Sequence, residues 1–300
     1  MYTNIQGAFI IFILLIDITW IKFSDFVLIY DKKTLFHESL FFLFLFSVWG
    51  FYKIFRPDPR VVSFLETVFF TLFYSYIILI FSYLVATLNQ PLVDSSLIAV
   101  DHFFGIRVSE IDFWFRDHVW WDWIFTGIYN CYLYQAVFII VCFSYLGKVF
   151  ELQRFLMQFM IAILITIIIS AFFPALGPYE WDHYAPREVL GVALQHMVEL
   201  RQNIMNMDKI TGIVTFPSFH AVMALLYAYL FRNERKVILI PILVLNALII
   251  FSCIPIGEHY FVDILAAFPV FLLAIGLEYL IYKKVAYSQK KEAVILNSLN

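Results

Sequence analysis

The chain has 300 residues, of which 63% are hydrophobic, 20% aromatic and only 14% charged. Soluble domains are roughly half apolar and about a quarter charged, so this composition excludes a soluble globular protein and predicts an integral membrane protein. The net charge is −3, and no basic patch interleaved with aromatic residues indicates nucleic-acid binding. The three cysteines lie in or beside apolar runs without metal-ligand spacing, and we interpret them as inert thiols: Cys131, Cys142 and Cys253.

Apolar runs of membrane-spanning length recur along the chain. A span needs about 20 apolar residues, and the candidate spans are approximately residues 7–29, 37–55, 63–88, 123–147, 155–174, 216–231, 237–255 and 259–282. The first run has neither a basic leader nor a small-residue cleavage site, so we expect a retained first helix rather than a signal peptide. For the charges inside it, Asp17, Lys22 and Asp25, we favour a structural or interfacial role.

Two polar segments between these spans are predicted to lie at the membrane surface. Segment 89–122 combines scattered charges with a group of tryptophans, which is typical of a helix at the membrane–water boundary: Trp114, Trp120, Trp121 and Trp123. An anchoring belt is favoured over direct substrate contact. In residues 186–204, apolar side chains recur near helical spacing with charged ones between them, which predicts an amphipathic helix that forms a lid or wall over the bundle.

Lysine and arginine are concentrated in the short connections on one side of the predicted bundle. The positive-inside rule makes that side cytoplasmic, with both termini inside. The segments that immediately precede the predicted spans 216–231 and 259–282 then face the non-cytoplasmic side. Lys32 and Lys33 oppose this assignment, so the orientation of the first two helices stays open.

Two histidine motifs stand where the last predicted helices begin, Phe216-Pro-Ser-Phe-His220 and Gly257-Glu-His-Tyr-Phe-Val-Asp263. The apolar runs between them lead out and back, so both histidines start helices on the same membrane face. His259 and Asp263 are four residues apart and share one side of a helix. The carboxylate can bind one imidazole nitrogen and leave the other with a lone pair for nucleophilic attack. His220 can then supply or remove a proton.

The start of the first motif is suited to binding an anion. Free backbone N–H groups at a helix start attract phosphate, a proline just inside the helix is tolerated there, and Ser218 adds a hydroxyl donor. Gly257 allows close backbone approach beside His259. Alternatives remain open: Ser218 can simply cap its helix, and His259 with Asp263 can be a helix-stabilising pair or part of a metal site, for which His183 and His196 are the further ligands nearby.

At these residues the chain resembles the type 2 phosphatidic acid phosphatase superfamily, and more narrowly the branch containing inositol phosphorylceramide synthases and related bacterial membrane proteins. Pro217 to His220 matches the family's proline-serine-X-histidine motif, and His259 with Asp263 matches its histidine-X3-aspartate motif, over roughly residues 125–280. The resemblance implies a six-helix phosphatase-like core with interfacial amphipathic helices in an all-α bundle. It makes His259 the nucleophile, Asp263 its partner and His220 the proton donor and acceptor, without metal or cofactor, and it implies a bacterial inner (plasma) membrane.

The chain departs from the larger superfamily at two cations. The first motif, a lysine six residues before arginine-proline, is absent, and Cys253 follows Ser252 where arginine is usual. The synthase-like branch also lacks these cations. Arg201 and Arg187, on the amphipathic segment before the second motif, are candidate substitutes as phosphate ligands, with an ordinary solvated arginine as the alternative.

Three functions follow as hypotheses. A phosphotransferase would move a phosphoryl or head group from a membrane lipid to a lipid or sugar alcohol, whereas a phosphatase would use water on a lipid phosphate or pyrophosphate. A non-catalytic transporter or scaffold is the third. The predicted organisation is N-terminal helices and an interfacial segment in 1–122, a catalytic core in 123–285 and a cytoplasmic tail in 286–300.

Overall fold

Most of the chain is helical in a computed structural model, which describes residues 2–181, 187–208, 210–257 and 259–298. Within these residues, six helices are long and apolar enough to cross a membrane: α1 (Tyr2–Phe23), α2 (Lys32–Phe55), α3 (Pro59–Ala86), α6 (Val119–Tyr145), α7 (Val149–Phe172) and α12 (Phe261–Ser298, apolar up to Lys284). The prediction of an all-α polytopic membrane bundle is therefore confirmed.

Two predicted spans form shorter apolar helices, α10 (Phe219–Leu230) and α11 (Lys236–Ser252). At about 1.5 Å per residue, the 12 residues of α10 extend only about 18 Å. The helix is short because the chain before it is not helical: Ser218 has extended dihedral angles and is the N-cap, and Pro217 precedes it. The expectation that the proline lies just inside the helix is therefore wrong, since it stands before the cap.

The segments predicted at the membrane surface form short helices. Segment 89–122 contains α4 (Asp94–Phe103) and α5 (Val108–Asp117) and the first turn of α6, and Trp120 and Trp123 are exposed, as an anchoring belt requires. The amphipathic segment forms α9 (Glu188–Leu200), after the single turn α8 (Pro178–Trp181). One feature was not predicted: β1 (Val27–Ile29) pairs in parallel with β2 (Ile204–Asn206), which ties the chain after α9 to the chain after α1.

The core lies where α3 and α7 pass through the bundle centre. The largest cluster of buried side chains joins α1, α3, α7, α10 and α12, including Ile13, Tyr74, Leu156 and Ala267. The N-terminal helices thus share a core with the predicted catalytic part, and the predicted boundary at 122 remains a prediction. The predicted tail, 286–300, continues α12 as helix to Ser298.

A buried polar cluster fastens the bundle end opposite the histidines. Glu278 on α12, fully buried, accepts hydrogen bonds from Tyr2 Oη at 2.6 Å and from Arg154 Nε and Nη2 at 2.8 and 2.6 Å. Because both partners satisfy the carboxylate, the cluster fixes α1, α7 and α12 relative to one another. The two histidine motifs lie at the opposite end of the bundle.

Candidate active site

The two histidines meet at one end of the bundle. His220 lies in the first turn of α10, and His259 lies two residues before α12. Their ring centroids are 6.4 Å apart, with the ring planes inclined by 58°. Among the described residues, no group binds Nε2 of either ring, and both histidines line the same cavity. Both imidazoles therefore border a shared space, and their Nε2 atoms have no protein partner among the described residues.

Asp263 orients His259 across the start of α12. Its Oδ2 accepts a hydrogen bond from His259 Nδ1 at 3.0 Å and a second from the backbone N–H of Tyr260, also at 3.0 Å. The carboxylate is fully buried and His259 is 6% exposed. A hydrogen bond to Nδ1 places the proton there and leaves the lone pair on Nε2, the form that a nucleophile needs.

His220 is held by two tyrosines of α6. The Tyr129 ring stacks on the imidazole with centroids 4.4 Å apart, and its hydroxyl is 3.0 Å from His220 Nδ1. Tyr132, one turn further along, contacts the same imidazole edge-on at 4.3 Å. Neither tyrosine was identified from the sequence, because aromatic residues are common throughout α6. The only available signal, a three-residue spacing that puts both rings on one face, is common among the 18 tyrosines of the chain.

Ser218 caps α10 and does not line the cavity. Its side chain accepts from the backbone N–H of Ala221 at 3.4 Å, and its own N–H donates to the backbone carbonyl of Asp263 at 3.2 Å. The residue is fully buried. This geometry favours the capping alternative and joins the starts of α10 and α12; a phosphate-binding role for Ser218 stays a prediction.

Gly257 fits between the site residues only because it lacks a side chain. A Cβ there would lie 2.8 Å from the carbonyl oxygen of Cys253, 2.9 Å from the Tyr129 ring and 3.1 Å from Cδ2 of His259. Cys253 itself is fully buried beneath the site, at the position where the resemblance places an arginine.

Helix α4 supports the site through two buried aspartates seven residues apart. Asp101 accepts from the backbone N–H groups of Phe261 at 2.7 Å and Val262 at 2.9 Å, which are free donors at the start of α12. Asp94 accepts from Gly177 N at 2.9 Å and from Tyr260 Oη at 3.0 Å. Neither aspartate was predicted to support the site, because the scattered charges and tryptophans of segment 89–122 favoured a boundary belt.

The two arginines predicted to bind phosphate lie elsewhere. Arg187 Nη2 contacts Asp112 Oδ1 at 2.8 Å and Asp122 Oδ1 at 2.7 Å, so two carboxylates already neutralise it. Arg201 Nη1 donates to the backbone carbonyl of Gln90 at 3.0 Å. Neither is among the described residues that line the cavity. Their role as phosphate ligands stays a prediction that the contacts do not favour.

The cavity beside the histidines has a volume of about 820 Å³, within the usual range of ligand pockets. Its polar end is formed by His220, His259 and Tyr129. Three residues of α9 also line the cavity: Ala193, Leu194 and Met197. The rest is an apolar groove between α3, α6 and α7. Along α3 the lining runs from Phe64 to Ser82, a distance of about 27 Å.

A metal site was the alternative interpretation of His259 and Asp263. Among the described residues, no three His, Cys, Asp or Glu side chains are grouped as a metal ion would need. His196 is buried in α9 with its Nδ1 2.6 Å from Tyr83 Oη. His183 lies outside the described residues.

Comparison with known proteins identifies the family. The family model described as the PAP2 superfamily matches residues 95–277, more than half of the chain, so the chain belongs to the PAP2 superfamily. Membership supports a membrane enzyme of the lipid phosphatase and phosphotransferase class. No curated protein and no solved structure gives a match. Membership of the branch with the inositol phosphorylceramide synthases stays a prediction.

Proposed function

We propose that the protein is an integral-membrane phosphotransferase or phosphatase that acts on a lipid phosphate or a phospholipid head group through a phosphohistidine intermediate. The observation that carries the proposal is the pair of imidazoles, 6.4 Å apart, of which one is oriented by a buried carboxylate. A nucleophile with an orienting partner and a separate proton carrier are the parts that covalent phosphoryl transfer without a metal requires.

The chemistry takes two displacements at phosphorus. Nε2 of His259 attacks, the bond from phosphorus to the leaving oxygen breaks, and protonated His220 gives its Nε2 proton to that oxygen. The acceptor hydroxyl then attacks the phosphohistidine, the P–N bond breaks, and His220 takes up the acceptor's proton. Asp263 stabilises the positive charge that develops on His259 in both steps.

The groove supports a lipid substrate. Leu72, Leu133 and Val137 line it and are exposed, which favours a groove that opens sideways toward the bilayer. A lipid can enter from the membrane with its chains against α3 and α6 and its phosphate at the histidines. Each methylene that leaves the bilayer meets an equally apolar wall, so the head group and the groove shape, rather than hydrophobicity alone, select the substrate.

The charges around the cavity favour a substrate with a single negative charge. The described polar lining is made of imidazoles and hydroxyls, and Asp263 adds a negative charge directly behind His259. A phosphodiester carries one negative charge, whereas a phosphomonoester or pyrophosphate carries more and needs more cations. This supports head-group transfer to a lipid or sugar alcohol over simple hydrolysis. We place the site on the non-cytoplasmic side, since lysine and arginine concentrate at the other end.

Purified protein in nanodiscs tests the proposal, with labelled phospholipids and lipid phosphates, with and without added alcohol acceptors. Label in a new lipid only when an alcohol is present supports transfer, and release of inorganic phosphate supports the phosphatase. His259→Ala should lower the rate at least roughly a thousandfold, because nucleophile and partner act as a unit. His37→Ala, an exposed histidine on α2, is the matched control. A rate for His259→Ala within tenfold of wild type would exclude the mechanism.

A further inference from the structure

A tyrosine that no motif includes is bonded to the proton-carrying histidine. The hydroxyl of Tyr129 is 3.0 Å from His220 Nδ1, and the two rings stack with centroids 4.4 Å apart. We infer that Tyr129 is the positioning residue for His220, with the role toward that ring that Asp263 has toward His259. The inference rests on the proposed function, since it assigns His220's partner in the same reaction.

The hydrogen bond decides which nitrogen of His220 exchanges protons with substrate. Because Nδ1 is occupied by the phenol, only Nε2 is available on the cavity side. A phenol oxygen is both an acceptor and a donor, so it can bind Nδ1 whether that nitrogen carries a proton or not. When protonated His220 gives its Nε2 proton to the leaving oxygen, Nδ1–H stays on the phenol oxygen. The bare Nε2 then accepts the proton of the incoming hydroxyl.

A tyrosine suits this position better than a carboxylate would. Asp263 already places one negative charge beside His259, whose ring centroid lies 6.4 Å from that of His220. A second carboxylate there would repel the phosphate, whereas a neutral phenol orients the imidazole without adding charge.

The neighbourhood fixes the phenol as well as the imidazole. A Cβ on Gly257 would lie 2.9 Å from the Tyr129 ring, so this ring packs directly against the backbone that leads to His259. The imidazole also meets Tyr132 edge-on at 4.3 Å, and the backbone carbonyl of Tyr132 accepts from Tyr227 Oη at 3.0 Å. Contacts with two aromatic rings keep the hydrogen bond to Nδ1 in one geometry.

Tyr129→Phe separates orientation from packing, because it removes the hydroxyl and keeps the stacked ring. We expect kcat to fall about ten- to a hundredfold with KM changed less than about twofold, since the proton transfer and not lipid binding is affected. Tyr134→Phe, an exposed tyrosine of the same helix, is the control. Tyr132→Phe removes the hydroxyl of a ring whose centroid is equally near the imidazole but which makes no hydrogen bond to it, and should lose clearly less than Tyr129→Phe. Equal losses at 129 and 132 would overturn the inference.

A second measurement does not depend on turnover. In protein labelled with ¹⁵N-histidine, the resonances of His220 are assigned by their loss in His220→Gln. We expect Tyr129→Phe to shift the Nδ1 resonance of His220 and Tyr134→Phe to leave it in place; an unchanged Nδ1 resonance in Tyr129→Phe would overturn the inference. Turnover that needs His259 but is unchanged in Tyr129→Phe would refute this inference alone. Turnover that is independent of His259 would refute the proposed function instead.

Discussion

Tyr260 donates its hydroxyl hydrogen to Asp94 Oδ1 at 3.0 Å, and this bond joins α4 to the start of the helix that carries Asp263. Asp101, two turns further along α4, accepts from two backbone N–H groups of the same helix start. The position of His259 relative to His220 therefore depends on a short surface helix that contains neither residue. Helix α4 thus fixes the backbone beside His259, the nucleophile of the proposed mechanism.

Asp101→Ala should destabilise the protein and the site together. It leaves two donors at the start of α12 unsatisfied in a buried place, a cost of about 1–3 kcal/mol for each. Asp101→Asn keeps one acceptor oxygen and should lose less. Thermal unfolding in detergent measures the effect, with exposed Asp117→Ala as the control. Equal unfolding temperatures for Asp101→Ala and wild type would show that the α4 contact does not hold α12.

The contact between His259 and Asp263 could be predicted from the sequence, because it follows from a local pattern. His259 and Asp263 are four residues apart at a helix start, and the apolar runs give the helices, so their pairing follows from helical geometry. The bonds of Tyr129 to His220 and of Asp101 to Phe261 join residues 91 and 160 positions apart. Such partners depend on how α4, α6 and α10 pack, which no periodicity records. The pairing of Arg187 with the distant Asp112 was not predicted for the same reason.

Gly257→Ala should slow turnover, because the site has no room for a side chain at this position. The added methyl would meet the Cys253 carbonyl at 2.8 Å and the Tyr129 ring at 2.9 Å, so the backbone or both rings must move. A shift of either the backbone or the Tyr129 ring would displace the histidines. Small displacements of reacting groups are costly, so we expect a fall in turnover rate of at least about tenfold. Gly276→Ala lies in α12 with no atom within 4 Å of the new Cβ and should keep wild-type rate. Equal rates in the two variants would contradict the close packing at 257.

Asp263 and His259 should behave as one unit in the kinetics. Asp263→Asn keeps the shape but no longer stabilises positive charge on the imidazole, so the rate should fall about a hundredfold or more. In the double variant with His259→Ala, the rate should be no lower than for His259→Ala alone. Turnover assays of the four proteins give the comparison. Losses that multiply would mean that Asp263 acts independently of His259.

Arg187 should prove to be a structural residue. Its guanidinium bridges Asp112, which is fully buried, and Asp122, so Arg187→Gln removes the cation that two carboxylates share. We expect a lower unfolding temperature and a KM for the lipid within about twofold of wild type. A raised KM at unchanged stability would instead support Arg187 as a phosphate ligand. The KM of Arg201→Gln would then be measured for comparison.

His196 should make the stability of the folded protein sensitive to acid. Its Nδ1 is hydrogen-bonded to Tyr83 Oη at 2.6 Å, and that hydroxyl also accepts from the backbone N–H of Thr211 at 3.1 Å. Burial lowers the pKa of His196 in the folded protein, whereas in the unfolded chain it is about 6.5. Below about pH 6.5 His196 therefore binds a proton in the unfolded chain but not in the folded protein. The free energy of unfolding consequently decreases as the pH is lowered. Unfolding temperatures at about pH 7.5 and 5.5 should differ less in His196→Gln than in wild type, and His37→Gln should keep the wild-type difference. An undiminished difference in His196→Gln would mean that other groups cause the acid sensitivity.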